Sequence, residues 1–369
     1  MRIGSVDLYK FFFSWMICFY HFYGAVKPNA HFPMGAVVVE LFVLISGVFF
    51  YMGWERAKKK SFAKGMMHLS PYPYLKRRFM RFLPYVMTGV ALAAGVRAWL
   101  FSQQGNLIDW KQRLTWFSED IWEVLMINMN GINDNTPLLN VPAWTISAML
   151  IAEFLVFALL INWEKVFTTL ICPCVILYSY GFWQHIPRAR HEVWIGYTTF
   201  GMLRVFALIC LSWYCWQLIK KMRATQFTKA GSFLLGVGEL ALYAVAVILI
   251  MNFDSRNFRW VVTLLFFFAV AISISGASFT AKIFPASKLT RWLGELSMGI
   301  YLTHYPIMRI FKHRWPVAEE MFKQKYVFLR EVLIASILFC VACRLLALVS
   351  SFALRGLKKI TVKEGKKTA

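Results

Sequence analysis

Acidic residues are scarce in this chain: 18 Asp and Glu stand against 41 Lys and Arg in 369 residues, a net charge of +23. Charge of either sign is thin, 16% of positions against 59% hydrophobic, which excludes an ordinary soluble domain, where about a quarter of positions are charged. Metal-type spacing is missing. The cysteines at 18, 172, 174, 210, 215, 340 and 343 all fall in apolar runs, and none has the loop spacing of a zinc site. They read as buried apolar thiols, and no disulfide framework or metal centre is expected. The histidines at 21, 31, 68, 185, 191, 304 and 313 show no close helical pairing. No small-residue cleavage site follows the first apolar run, so no removable signal peptide is expected. The short alternating segments of a membrane β-barrel are also lacking.

What is present is a series of apolar runs, each long enough to cross a bilayer as a helix. They predict an all-α, polytopic membrane protein of about ten transmembrane helices: 8–24, 34–53, 82–102, 138–162, 166–182, 194–219, 231–251, 260–280, 293–311 and 329–354. Basic residues concentrate in 54–81, 220–229, 282–291 and after 354, so the positive-inside rule puts both termini in the cytoplasm. That rule also accounts for the net charge. The cations are not interleaved with a polar, base-stacking surface, and no nucleic-acid partner is expected. The reading gives a multi-pass protein of the cell membrane. Its membrane domain covers 1–354, and the basic tail 355–369 is expected to be unstructured and solvated. The outer segment 103–137 is rich in Trp, Asn and Asp, and part of it is a candidate to dip back into the membrane.

Ionisable groups inside apolar runs are costly and usually kept for a reason. On the first predicted helix Lys10 and His21 are eleven residues apart, close to three whole turns. They share a face and are separated by roughly 16 Å along the axis. Asp7 stands one turn below Lys10, where the two charges can pair. Taken singly, Lys10 fits a lysine snorkelling to the headgroups, Asp7 a helix cap, and His21 a satisfied core histidine. The second run carries Glu40 within VELFVLISG. In RRFMRFLPY, Arg78 and Arg81 share a helical face just before Pro84 and can hold phosphate by paired hydrogen bonds, or can serve as plain topological anchors. Near the end, in WLGELSMGIYLTHYPI, Ser297, Tyr301 and His304 line one face of a span.

Together these four stretches resemble the membrane acyltransferases known as acyltransferase family 3, over nearly the whole chain. The family's Asp-x-x-Arg/Lys entrance and first-span His match Asp7, Lys10 and His21. Its second-span motif matches Phe42-Val43-Leu44-Ile45-Ser46-Gly47 with one residue inserted. Its Arg-x-x-Arg before Pro matches Arg78, Arg81 and Pro84, and its closing Gly-x-x-Ser-x-x-x-Tyr-x-x-His matches Gly294, Ser297, Tyr301 and His304. Two departures stand out. Lys10 takes the place of a common Arg and gives up a planar two-pronged contact. Met149 in PAWTISAML stands where many members have Glu, with Glu153 one turn later.

The resemblance implies transfer of an acyl group, usually acetyl, from cytoplasmic acyl-CoA to a hydroxyl of a carbohydrate or related acceptor, often outside the cytoplasm. Acyl-CoA is then a donor substrate, and no cofactor is permanently bound. Lys10, Arg78 and Arg81 are expected to bind its phosphates, with His21 and Asp7 the catalytic candidates. His21 acts as general base or as nucleophile, and the sequence leaves both open. Glu40, Trp144, Ser297, Tyr301 and His304 are candidates to hold the acceptor or an oxyanion. Trp116, Trp122 and Trp144 can stack on sugar rings or anchor at the interface. The rival reading is a transporter or flippase of glycans or lipid-linked sugars. Against it stand the ordered motifs and the lack of an inverted repeat with paired broken helices.

Overall fold

The computed structural model describes residues 2–26, 32–62, 70–127, 139–182, 193–195, 198–253 and 258–365. His31, His68, His185 and His191 lie outside them. The described residues are helical almost throughout: α1 (Gly4–Val26), α2 (Val38–Phe62), α3 (Tyr72–Gln103), α4 (Trp110–Val124), α5 (Trp144–Val166), α6 (Cys172–Leu177), α7 (Phe200–Ala224), α8 (Lys229–Asn252), α9 (Arg259–Ser275), α10 (Thr280–Ile283), α11 (Lys288–Arg314), α12 (Ala318–Lys323) and α13 (Lys325–Gly365). A short antiparallel pair, β1 (Val193–Ile195) and β2 (Thr198–Thr199), precedes α7. In hydrocarbon every backbone polar group must be satisfied within the segment, and only the helix does this for a single run.

Among the described residues six helical segments are long and apolar enough to cross a membrane: Gly35–Ser61, Tyr72–Gln103, Val141–Gly181, Phe200–Ala224, Lys229–Asn252 and Lys325–Leu348. The apolar α9 is shorter, and α1 and α11 have the length but carry ionisable residues. The runs expected as separate spans at 138–162 and 166–182 form one helical segment. It breaks at Trp163, whose φ of −140° and ψ of 43° leave the helical region, and continues through π-helical turns at Phe167–Ile171 and Tyr178–Phe182. The tail is corrected more plainly: the chain from 355 does not leave the helix but extends α13 to Gly365.

Helix ends follow local chemistry. Asp109, Thr199 and Thr228 each accept a backbone N–H from the first turn of α4, α7 and α8. Ser287 and Thr290 form a reciprocal capping box on α11. α4, in the segment expected to dip toward the membrane, is amphipathic. Trp110, Leu114 and Phe117 are exposed along one face, and Arg97 of α3 pairs with Asp120 and Glu119 on the other. Such a helix suits the membrane interface.

The packing that positions the site is α1 laid along α11, with α13 and α3 supporting α11 and α2 against α7. Glu123, at the end of α4, ties this outer helix to the bundle. Its carboxylate accepts the backbone N–H groups of Leu139 (3.1 Å) and Asn140 (3.0 Å), just before α5. The Asn140 amide in turn donates to the Leu302 carbonyl of α11 at 2.9 Å. Burial pushes the Glu123 carboxyl up, to about 8, although both N–H groups favour its ionised form. Between the ordinary carboxylate range and that value the folded protein keeps a proton that the unfolded chain has lost. Stability is therefore expected to fall as pH rises from about 5 to 8. Melting temperatures of detergent-solubilised protein should show this fall, and Glu123→Gln should flatten it.

Candidate active site

The site begins with a close approach. Gly294 lies nearly two turns inside the start of α11, and a Cβ there would meet the Asp7 Oδ1 at 2.4 Å. Glycine is thus what lets α11 receive the Asp7 carboxylate, and Gly294 of the closing motif is explained by Asp7 of the opening one. Asp7 is 4% exposed. Lys10 Nζ lies 2.7 Å from its Oδ1 and Arg2 Nε 2.6 Å from its Oδ2, while Arg2 also donates to the Arg291 carbonyl. Both oxygens are therefore engaged by cations. The carboxylate holds Arg2 and Lys10 in place.

Asp7, Arg2 and Lys10 line a cavity of about 480 Å³, the size of a ligand site. Arg81 and Tyr85 of α3 join them, and Arg81 interacts electrostatically with Arg2 and Asp7. Glu295 also lines this end, but Arg344 of α13 holds its carboxylate at 2.6 Å. The cationic end therefore has three positive side chains and one carboxylate not paired elsewhere. Onward the walls turn apolar, with Val39, Phe42, Ile146, Met149 and Met298, and then meet Ser297, Thr145 and Tyr301. The Ser297 hydroxyl donates to the Gly294 carbonyl. The Tyr301 hydroxyl donates to the Pro142 carbonyl at 2.8 Å and pairs with the Thr145 hydroxyl at 3.0 Å. The Phe42 ring stacks on Tyr301, centroids 6.2 Å apart.

A family model described as an acyltransferase domain matches residues 3–355. The chain belongs to acyltransferase family 3. No curated protein and no solved structure matches it. A membrane acyltransferase is what this match, together with the apolar helices, supports.

The acyltransferase keeps its two candidate histidines just beyond the cavity. His21 and His304 are not among the lining residues. One turn past Tyr301, the His304 ring faces that of His21 with centroids 5.1 Å apart, and Tyr305 stands edge-on to His21 at 6.1 Å. The face shared by Lys10 and His21 is thus turned toward α11, with the cation at the cavity and the imidazole a step past its end.

Three expected site residues are elsewhere. Arg78 does not line the cavity. Its guanidinium forms a bidentate pair with Glu153 and donates to the Ser46 hydroxyl at 2.6 Å. Glu153 is fully buried, and burying that carboxylate requires a cation. Arg78 and Arg81 share a helix but not a task. Glu40 also lies away from the cavity: Arg204 of α7 holds its Oε1 at 2.6 Å and the Thr263 hydroxyl of α9 donates to its Oε2. Both oxygens are spent tying α2, α7 and α9 together. Trp144 is buried at the start of α5, outside the lining, and Trp116 lies under the Arg97 guanidinium at 4.5 Å. Missed from the sequence were Arg2, Thr145 and Met149. Arg2 precedes the helix, so no face argument reaches it, while the departure at Met149 marked a residue that proves to line the cavity.

Arg78→Ala is expected to destabilise the protein by about 3–5 kcal/mol, the cost of leaving a buried partner charge alone, and to leave acyl-CoA affinity near that of the unaltered protein. Thermal melts and calorimetric titration of the same preparation check both halves.

Proposed function

We propose that this acyltransferase moves a short acyl group, acetyl in the first instance, from a coenzyme A thioester to a hydroxyl of a glycan or related acceptor. The observation that carries the reading is one cavity with three cations at one end and, at the other, a hydroxyl pair next to two histidines. Coenzyme A has this polarity: phosphates at one end, a long uncharged arm, and sulfur at the tip. Charge-assisted bonds from Arg2, Lys10 and Arg81 suit the phosphates. The roughly 16 Å from Lys10 to His21 along α1 suits the arm. Residues matching the family's motifs supply both ends.

In this reaction the acceptor O–H loses its proton to neutral His21 as its oxygen attacks the thioester carbon. The C–S bond breaks, and the leaving thiolate regains a proton from the imidazolium. Where His21 instead carries the acyl group, its nitrogen attacks the thioester carbon and the C–S bond breaks; the acceptor oxygen then attacks the acyl-imidazolium, the C–N bond breaks, and the acceptor's proton passes to the thiolate. In this reading the Thr145 hydroxyl, which lines the cavity beside Tyr301, steadies the charge that develops on the carbonyl oxygen. The cytoplasm supplies the donor, the acceptor is met at the opposite face, and the protein belongs in the cell membrane. This sidedness follows from the positive-inside pattern of the loops.

His21→Ala is expected to lower release of free thiol from acetyl-CoA at least about 100-fold while insertion and melting temperature hold. Full activity in the purified variant would end the reading. Lys10→Ala and Arg81→Ala should each raise KM for acetyl-CoA with kcat changed less, read in the same thiol assay. Mass spectrometry of surface glycans from cells with and without the protein would identify the acceptor through a lost acyl mass.

A further inference from the structure

His304 carries a proton on one nitrogen and an unused lone pair on the other. Its Nδ1 lies 2.9 Å from the Ile300 carbonyl oxygen one turn back. A carbonyl only accepts, so Nδ1 holds the hydrogen and Nε2 is left as an acceptor. The residue is fully buried, and its Nε2 has no hydrogen-bond partner among the described residues. A buried polar atom left unmatched calls for a reason, and a catalytic role is one of the recognised reasons. Nothing else on α11 supplies one. Neighbouring Thr303 is already paired with Ser336 of α13, and Tyr301 with Pro142 and Thr145. Among the described residues no charged side chain acts on His304.

The ring that His304 faces is that of His21. A nearly linear N–H···N bond of about 2.9 Å between two imidazoles sets their ring centres about 5 Å apart. The observed centroid distance is 5.1 Å and the ring planes differ by 31°. That separation is the one a His21 N–H directed at His304 Nε2 would have. The Tyr20 and Tyr305 rings also stand beside His21, at 5.1 and 6.1 Å.

We propose that His304 is a positioning residue for His21: its Nε2 accepts the N–H of the His21 imidazolium as positive charge builds there during acyl transfer. This rests on the acyltransferase reading and adds a residue to it. His304 keeps its own proton on Nδ1, anchored by Ile300, and offers Nε2 to His21 as an acceptor. The bond orients His21 and stabilises the charged form only when that form arises, which is what accelerates a chemical step. It applies equally whether His21 takes a proton or an acyl group.

The test uses full-length protein in detergent with acetyl-CoA as probe. His304→Leu is expected to lower kcat for thiol release about 100-fold, with KM for acetyl-CoA within about twofold. His304→Gln, whose amide oxygen can accept in place of Nε2, should recover at least about tenfold of that loss. A Leu variant with unchanged kcat, or a Gln variant no better than Leu, overturns the proposal. A second readout needs no activity: in 15N-histidine spectra the non-protonated His304 Nε2 signal should move as lowered pH protonates His21 and should lose that movement in His21→Ala, and a signal that does not respond to His21 protonation also overturns the pairing. If the unaltered protein releases no thiol, the acyl-transfer reading fails, while the spectrum still decides whether the two imidazoles are paired.

Discussion

The Asp7 carboxylate is the point at which the site is joined. It is buried where α1 meets α11, and stripping a buried carboxylate of its cation partners is costly. Arg2 and Lys10 meet that demand from the same chain end, and Gly294 makes room for it on the neighbouring helix. Once this clamp is set, the register of α1 on α11 is fixed. The Lys10 cation then faces the cavity, and eleven residues on, His21 is brought against His304. Disturbing the clamp would displace the cationic end and the imidazole end together, because both sit on one rigid helix.

The other buried acids show what happens to charge that is not left for function. Glu153 takes Arg78, Glu40 takes Arg204 with Thr263, and Glu239 of α8 accepts hydroxyls from Ser273 and Thr280 at 2.6 Å each. The first two tie helices that are distant in sequence, and Glu239 ties α8 to the helices that follow it, α9 and α10. Removing one partner from such a pair is costly, while the intact pair is weak as a source of stability. Their value is in fixing which helices meet. Arg2, Lys10 and Arg81 differ: they converge on a cavity where Asp7 is the one carboxylate they share, and that surplus positive charge suits an anionic ligand.

The packing explains the motifs as physical parts. In the second-helix stretch Phe42 stacks on Tyr301, Ser46 completes the Arg78–Glu153 pair, and a Cβ at Gly47 would meet the Ser212 hydroxyl oxygen at 2.3 Å. One residue thus walls the cavity, one satisfies a buried charge, and one permits close approach of α7. In the closing stretch Gly294 receives Asp7, Ser297 and Tyr301 line the cavity, and His304 faces His21. The outer helix α4 reaches the same region through Glu123 and Asn140, which fix the start of α5 and hence Thr145.

Sequence alone determined the helical membrane character, because a long apolar run leaves the backbone no other way to satisfy itself in lipid. It also determined the common face of Asp7, Lys10 and His21, since helical period is a local property, and the family, whose motifs are local strings. It could not decide how far one helix runs into the next: the break at Trp163 and the extension of α13 to Gly365 depend on backbone angles that composition does not fix. Nor could it decide which charges are spent. Arg78 and Arg81 look alike three residues apart, yet Glu153 on α5 claims the first and leaves the second at the cavity. Such pairing depends on which helices become neighbours, a long-range outcome with no trace in local spacing. For the same reason only the tertiary structure brought His304 to His21 and Arg2 to Asp7.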